Sequence, residues 1–231
     1  MLAALLLTLA TSVLAAPSLK RAECDVTKLS IPLPSGQTTL VKPTNFTPSF
    51  IGVGVGVQNY TCGSTGTFTN VGALAELFDI SCASPLSFDS LTDVIFDAWK
   101  DAPKEITAAD LIDTLAIFDP PNVLGQHFFV TNPITGSGLS PKWDFTSASL
   151  KGHGDAFVVG AKVGDLLAPT DDTANIDWLQ LNAAEGDLAN AIFRIQTRGG
   201  QPPASCTPGS PEIFVRYAAQ YWLYGGDFAP K

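Results

Sequence analysis

The segment Ile51-Gly52-Val53-Gly54-Val55-Gly56-Val57 alternates strictly between a β-branched side chain and glycine. A period of two is the mark of a strand, and it puts every branched residue on one face and every glycine on the other. A glycine face has no side chains of its own to pack. Another backbone or side chain must therefore lie close against it.

Shorter runs of Val, Ile, Phe and Thr recur along the chain, separated by Gly, Pro, Asn, Asp and Ser. That pattern belongs to a β sandwich or barrel. It predicts strands over Phe50 to Cys62, Gly66 to Val71, Gln126 to Thr131, Ala156 to Val163, Ile176 to Leu181, Ala191 to Thr197 and Val215 to Tyr224. The last alternates poorly, and its Tyr217, Tyr221, Trp222 and Tyr224 suit a buried or interfacial position. One stretch departs from the β pattern. Leu91, Val94, Ile95, Ala98 and Trp99 recur at helical spacing within Ser87 to Lys100, as do Leu111, Ile112, Leu115 and Ala116 within Thr107 to Phe118. Thr107 followed by Asp110 predicts an N-cap with an acid in the first turn, and Pro120-Pro121 stops the second helix. The expected architecture is mainly β, an antiparallel sandwich or barrel with a helical hairpin inserted at about 87–118.

The compartment is written at the N-terminus. Leu2 to Leu14 is apolar but too short to span a bilayer, the small residues Ala15 and Ala16 follow, and Lys20-Arg21 is a dibasic processing pair. Residues 1–21 are expected to be a signal peptide with a short pro-segment, and 22–231 a single secreted domain. The four cysteines, Cys24, Cys62, Cys82 and Cys206, all fall in that domain. An even count in an exported chain predicts two disulfides, with three pairings open. The absence of CxxC argues against a zinc knuckle or thioredoxin-type site. Sequons at Asn45 and Asn59 would face solvent if used. The net charge of −9 grows more negative once Lys20 and Arg21 are removed. With no basic stripe, that excludes nucleic acid as a partner. No second apolar stretch of membrane length follows the leader, so no membrane anchor is expected after its removal.

Reactive motifs are sparse. Gly52 to Val57 fails the dinucleotide fingerprint, because the third glycine would fall at Val57 and the segment leads to Cys62 instead of a helix N-terminus. No P-loop, HExxH, EF-hand loop or GxSxG is present. There are two histidines. His127 stands at the start of a predicted strand, where a packed ring donating one hydrogen bond is the simpler reading; His153 lies in a turn. Together with Asp144 or Asp155 they could bind a single divalent metal, two nitrogens and a carboxylate being a workable donor set. No other cofactor is expected. Asp144 and Glu185 would form a glycosidase pair only if the fold joined them. Asp171-Asp172 reads as a solvated or turn-capping pair, with calcium as the alternative. Trp143, Trp178, Trp222 and Tyr224 could stack on sugar rings or pack internally.

Several segments in order carry a family resemblance: Gly56-Val57-Gln58-Asn59-Tyr60-Thr61-Cys62, Gly72-Ala73-Leu74-Ala75-Glu76-Leu77-Phe78-Asp79, Gly125-Gln126-His127-Phe128, Pro141-Lys142-Trp143, Ile176-Asp177-Trp178-Leu179-Gln180-Leu181, Ile195 to Pro203 with Cys206, and Val215 to Tyr221. Together they resemble a family of secreted fungal and bacterial proteins catalogued as a domain of unknown function, over about Cys24 to Tyr224. Its fungal members often carry a malate dehydrogenase name, which conflicts with the missing nicotinamide fingerprint. The chain departs from the family pattern at Phe68 and over Thr146 to Leu150. The resemblance implies a β-rich extracellular domain and supplies no catalytic residues. With it in view, Cys24 is expected to pair with Cys82, and Cys62 with Cys206. Two functions are expected to compete. One is a non-catalytic module binding wall polysaccharide or a host surface, with Trp143, Trp178 and Tyr224 as contacts. The other is a metal-dependent enzyme centred on His127.

Overall fold

A computed structural model describes residues 24–84 and 87–229. The leader features, Leu2 to Leu14, Ala15, Ala16, Lys20 and Arg21, lie outside them. Eight strands follow in chain order: β1 (Pro48–Cys62), β2 (Phe68–Asp79), β3 (Val123–Thr131), β4 (Leu139–Asp144), β5 (Phe157–Leu166), β6 (Trp178–Glu185), β7 (Ala191–Gly199) and β8 (Ile213–Tyr224). Each pairs antiparallel with the next, and β1 also pairs with β8, closing a barrel. Of the two β architectures the sequence allowed, the sandwich is thus ruled out. The β1–β8 ladder from Pro48 to Tyr60 consumes both edges that a sandwich would leave open.

The glycine face of β1 points into the barrel. A Cβ on Gly54 would lie 2.6 Å from Tyr221 Cε2, and one on Gly56 would lie 2.0 Å from the Leu74 carbonyl oxygen. Glycine leaves room inside the barrel for the Tyr221 ring of the neighbouring strand β8 and for close approach of the β2 backbone. Phe50, Leu77, Trp143, Phe145, Leu181, Tyr217 and Tyr221 pack there as one core. The outer face of β1 is also covered. Val26, Ile31 and Leu40 of the N-terminal arm and Phe88 pack over Ile51, Val53, Phe193, Trp222 and Tyr224. Because β8 has apolar cover on both sides, its sequence shows no clean alternation.

Two helices, α1 (Phe88–Lys100) and α2 (Ala108–Phe118), lie between β2 and β3. Thr107 caps α2 as expected, in a full capping box with Asp110. The hairpin is tied to the barrel by polar anchors. Trp99 Nε1 donates to the Gly56 carbonyl at 2.7 Å, and buried Gln220 donates to the Phe88 carbonyl and Thr92. Arg216 donates to the carbonyls of Trp99, Ala102, Pro103 and Ile106 and stacks over the Trp99 ring. Disulfides join Cys24 to Cys82 and Cys62 to Cys206, the pairs named above.

Two strand assignments differ from the sequence expectation. β4 is not among the strands expected from the sequence: it is six residues long, follows Gly136 and Gly138, and contains Pro141. Pro141 is tolerated because β4 meets β5 only from Lys142 onward, so no ladder partner on that side needs its missing N–H. β2 runs past Val71 to Asp79. Its Ala-Leu-Ala-Glu-Leu stretch has helix-favouring residues, but pairing with β1 and β3 overrides propensity.

Candidate functional site

His127 sits on the inner face of β3, opposite Ala75 of β2 and Trp143 of β4. It is 2% exposed. Its ring stacks on Trp143 at 4.6 Å between centroids and lies 5.4 Å from Tyr221. Nδ1 is 2.9 Å from the Lys142 carbonyl oxygen. A carbonyl only accepts, so Nδ1 carries the proton. Burial pushes the imidazole pKa down to about 3, outweighing that hydrogen bond. His127 is therefore a neutral core ring.

The proposed metal ligands do not meet. The β3–β4 register sets Asp144 opposite Gln126, one residue along from the His127–Trp143 pair, so Asp144 and His127 face opposite sides of the sheet. Burial pushes the Asp144 carboxyl up, but Lys142 Nζ at 2.8 Å and Thr146 together hold it below the usual carboxylate range. His153 and Asp155 occupy an exposed turn, where the His153 ring meets the edge of Phe228. Among the described residues no three His, Cys, Asp or Glu side chains could hold one ion. The expectation of a metal centre on His127, His153, Asp144 and Asp155 is corrected on this ground. Glu185 is exposed while Asp144 is closed into its ion pair. Asp171 accepts from Thr173 Oγ1 within its own turn.

The aromatic platform is corrected as well. Trp143, Trp178 and Tyr224 are all buried and present no ring to solvent. Trp143 fills the barrel; Trp178 and Tyr224 lie beneath the N-terminal arm. Of the two sequons, Asn45 is exposed, and Asn59 is half-buried within β1 with its Oδ1 closed off from solvent.

A different residue stands out. The outward positions of β2 are Leu74, Glu76 and Phe78, and Glu76 is 2% exposed. Its neighbour across the ladder is Gln126, which hydrogen-bonds its carboxyl. Among the described residues Oε2, like several other buried side-chain atoms, has no hydrogen-bond partner, and it is closed off from solvent. Desolvation pushes the carboxyl pKa up to about 8, more than Gln126 offsets. Glu76 and Gln126 line a cavity of about 170 Å³, walled by Leu115, Ala116, Pro120 and Val123. Ser147, Ala148 and Lys151 from the turn after β4 complete it with Asp119. Lys151 Nζ and Asp119 form an exposed ion pair at 2.9 Å. Pro120-Pro121 ends α2 and turns the chain into β3, which is how helix, strand and turn converge here. The sequence held one signal for this site: a lone acid among outward apolar residues of a strand. It went unread because the segment was not assigned to a strand.

Fold and site together define a closed, side-chain-filled antiparallel barrel with a polar pocket between its wall and an inserted helical hairpin. The chain belongs to the DUF3455 family, described as a protein of unknown function, whose family model matches residues 43–225. Neither a curated protein nor a solved structure matches it.

Proposed function

We propose that this chain is a secreted, non-catalytic binding module that takes a small molecule into the Glu76 pocket. The observation that carries this reading is a carboxyl residue, 2% exposed, set with Gln126 in the wall of a cavity of about 170 Å³. Glutamate is almost never fully buried unless it is paired, and a desolvated carboxyl in a cleft is a candidate functional group. Two disulfides and the leader pattern support export. The stacking of His127 within the core supports a binding role over catalysis. The cavity is close in size to an engineered one of ~150 Å³ that admits benzene. That scale suits a single small molecule and redirects the expected partner away from polysaccharide chains or host surfaces.

The test is a fragment screen on the mature, oxidised chain, read by amide chemical shifts. Small polar fragments are expected to move the amides of Glu76, Gln126 and residues 147–151. Retention on chitin, glucan or cellulose with no fragment perturbing those amides would overturn the reading.

A further inference from the structure

We infer that residues 24–42 form a redox-released strap: reduction of Cys24–Cys82 frees this arm from the barrel and bares the aromatic wall beneath it. The Glu76 pocket plays no part in it. The arm contains no helix or strand, and its backbone hydrogen bonds are local, from Leu29 N–H to the Val26 carbonyl and from Leu33 N–H to the Ile31 carbonyl. Among the described residues no backbone–backbone hydrogen bond joins it to a strand. Three features hold it on the wall. Val26, Ile31 and Leu40 pack in one cluster with Trp178, Trp222 and Tyr224; Val41 N–H donates to Gln180 Oε1 at 2.7 Å; and Cys24–Cys82 fixes the far end. Burial of three aliphatic side chains does not offset the entropy of ordering so long a segment. The bridge tips the balance, because it also constrains the released arm. The barrel closes without the arm: β1 and β8 pair from Pro48 to Tyr60, and the family model begins at residue 43.

The two bridges sit in different surroundings. Cys82 is exposed in the turn after β2, whereas Cys62 and Cys206 are both half-buried. Cys62 ends β1, and the Cys206 N–H donates to the Gly66 carbonyl, so backbone pairing keeps those two together when their bond is cut. Cys24 has no such support. Accessible disulfides are the labile ones. The step is an exchange with a dithiol. Its thiolate attacks Cys82 Sγ and displaces Cys24, which takes up a proton; its second thiol then displaces Cys82. The dithiol ends as a disulfide and the protein as two thiols, so both electrons and both protons are accounted for. The freed arm then stays attached only where the chain enters β1, and Trp178 and Trp222, both buried in the closed form, meet solvent.

The experiment treats the mature chain with graded dithiothreitol, beside a Cys24→Ser, Cys82→Ser double variant that keeps Cys62–Cys206. Mass mapping of alkylated thiols follows each bridge, hydrogen exchange follows each segment, and trypsin probes the exposed Lys28 in the arm. Cys24 and Cys82 are expected to be alkylated before Cys62 and Cys206. With their bridge open, in the reduced chain and in the variant alike, amides of residues 25–42 are expected to exchange at least about tenfold faster while β1 to β8 stay protected. Trypsin should then cut after Lys28, and tryptophan emission should move to longer wavelength. Reoxidation of the reduced chain should reverse both the exchange and the emission. An arm that stays protected once the bridge is open would sink the strap. So would strands that lose protection along with the arm, a double variant that does not fold, or reduction of Cys62–Cys206 first.

Discussion

At the scale of single residues, the consequences follow from what each side chain touches. Gly54 and Gly56 face different obstacles. A methyl at Gly54 meets the Tyr221 ring, which can shift, whereas one at Gly56 meets the β2 backbone at Leu74 and Ala75. Gly54→Ala is expected to cost about 1–3 kcal/mol, the usual range for overpacking. Gly56→Ala is expected to cost more, because strands cannot separate without losing their ladder. Denaturant midpoints of the two variants would rank them; equal values would show that the β1–β2 contact yields more readily than its geometry implies. Glu76 makes a further prediction. Its folded-state pKa lies above the unfolded value, so its contribution is full below about 4.5 and is lost as pH rises through about 8. Glu76→Gln is therefore expected to raise the melting temperature at pH 8 and to leave it nearly unchanged at pH 4. The opposite ordering would mean that the carboxyl is ionised and paired in the folded chain.

At the scale of elements, the helical hairpin is held by few polar anchors over a modest apolar contact. Arg216 reaches the carbonyls of Trp99, Ala102, Pro103 and Ile106 with one planar fork. An ammonium cannot reproduce that geometry. Arg216→Lys is expected to cost on the order of 3 kcal/mol, given that hydrogen bonds from charged donors contribute roughly 1.5–3 kcal/mol each. Hydrogen exchange should quicken in α1 and α2 while the barrel strands stay protected; uniform loss of protection would show that hairpin and barrel open together. Both disulfides close long loops, with sequence separations of 58 for Cys24–Cys82 and 144 for Cys62–Cys206. Chain entropy then assigns each about 4–5 kcal/mol, the longer loop exceeding the shorter by less than about 1 kcal/mol. Paired Cys→Ser variants in equilibrium unfolding would check this. A larger gap would mean that one bridge acts chiefly on the folded state.

For the molecule as a whole, two buried groups set opposing pH limits. His127 is kept neutral in the fold, its pKa brought from 6.5 to about 3 by burial, so acid charges the unfolded chain first. Its contribution is complete above about 6.5 and falls as pH drops toward 3. Asp144, held low by Lys142 and Thr146 despite partial burial, acts in the same direction. Glu76 acts in the reverse direction between about 4.5 and 8. Where the two windows overlap, the slopes cancel. Thermal unfolding is expected to show a plateau between about pH 4.5 and 6.5, with stability falling on both sides. A maximum above pH 8 would contradict the protonated state assigned to Glu76.

Local chemistry was legible in the chain itself. Period-two alternation marks β1, helical spacing with Thr107 and Asp110 marks α2, and an even set of cysteines marks the cross-links, because each depends on backbone geometry or covalent chemistry within a few residues. Pairing β1 with β8, which turns a set of strands into a barrel, joins segments far apart in the chain and leaves no local trace. The same is true of which aromatic faces inward and which lies under the arm, since both kinds look apolar in sequence. The sequence left open a shared metal for His127 and Asp144 beside the packed-ring reading of His127; strand register sets the two on opposite faces. Glu76, Gln126 and Lys151 come from three separate segments, and only the long-range register that closes the sheet brings them to one cavity.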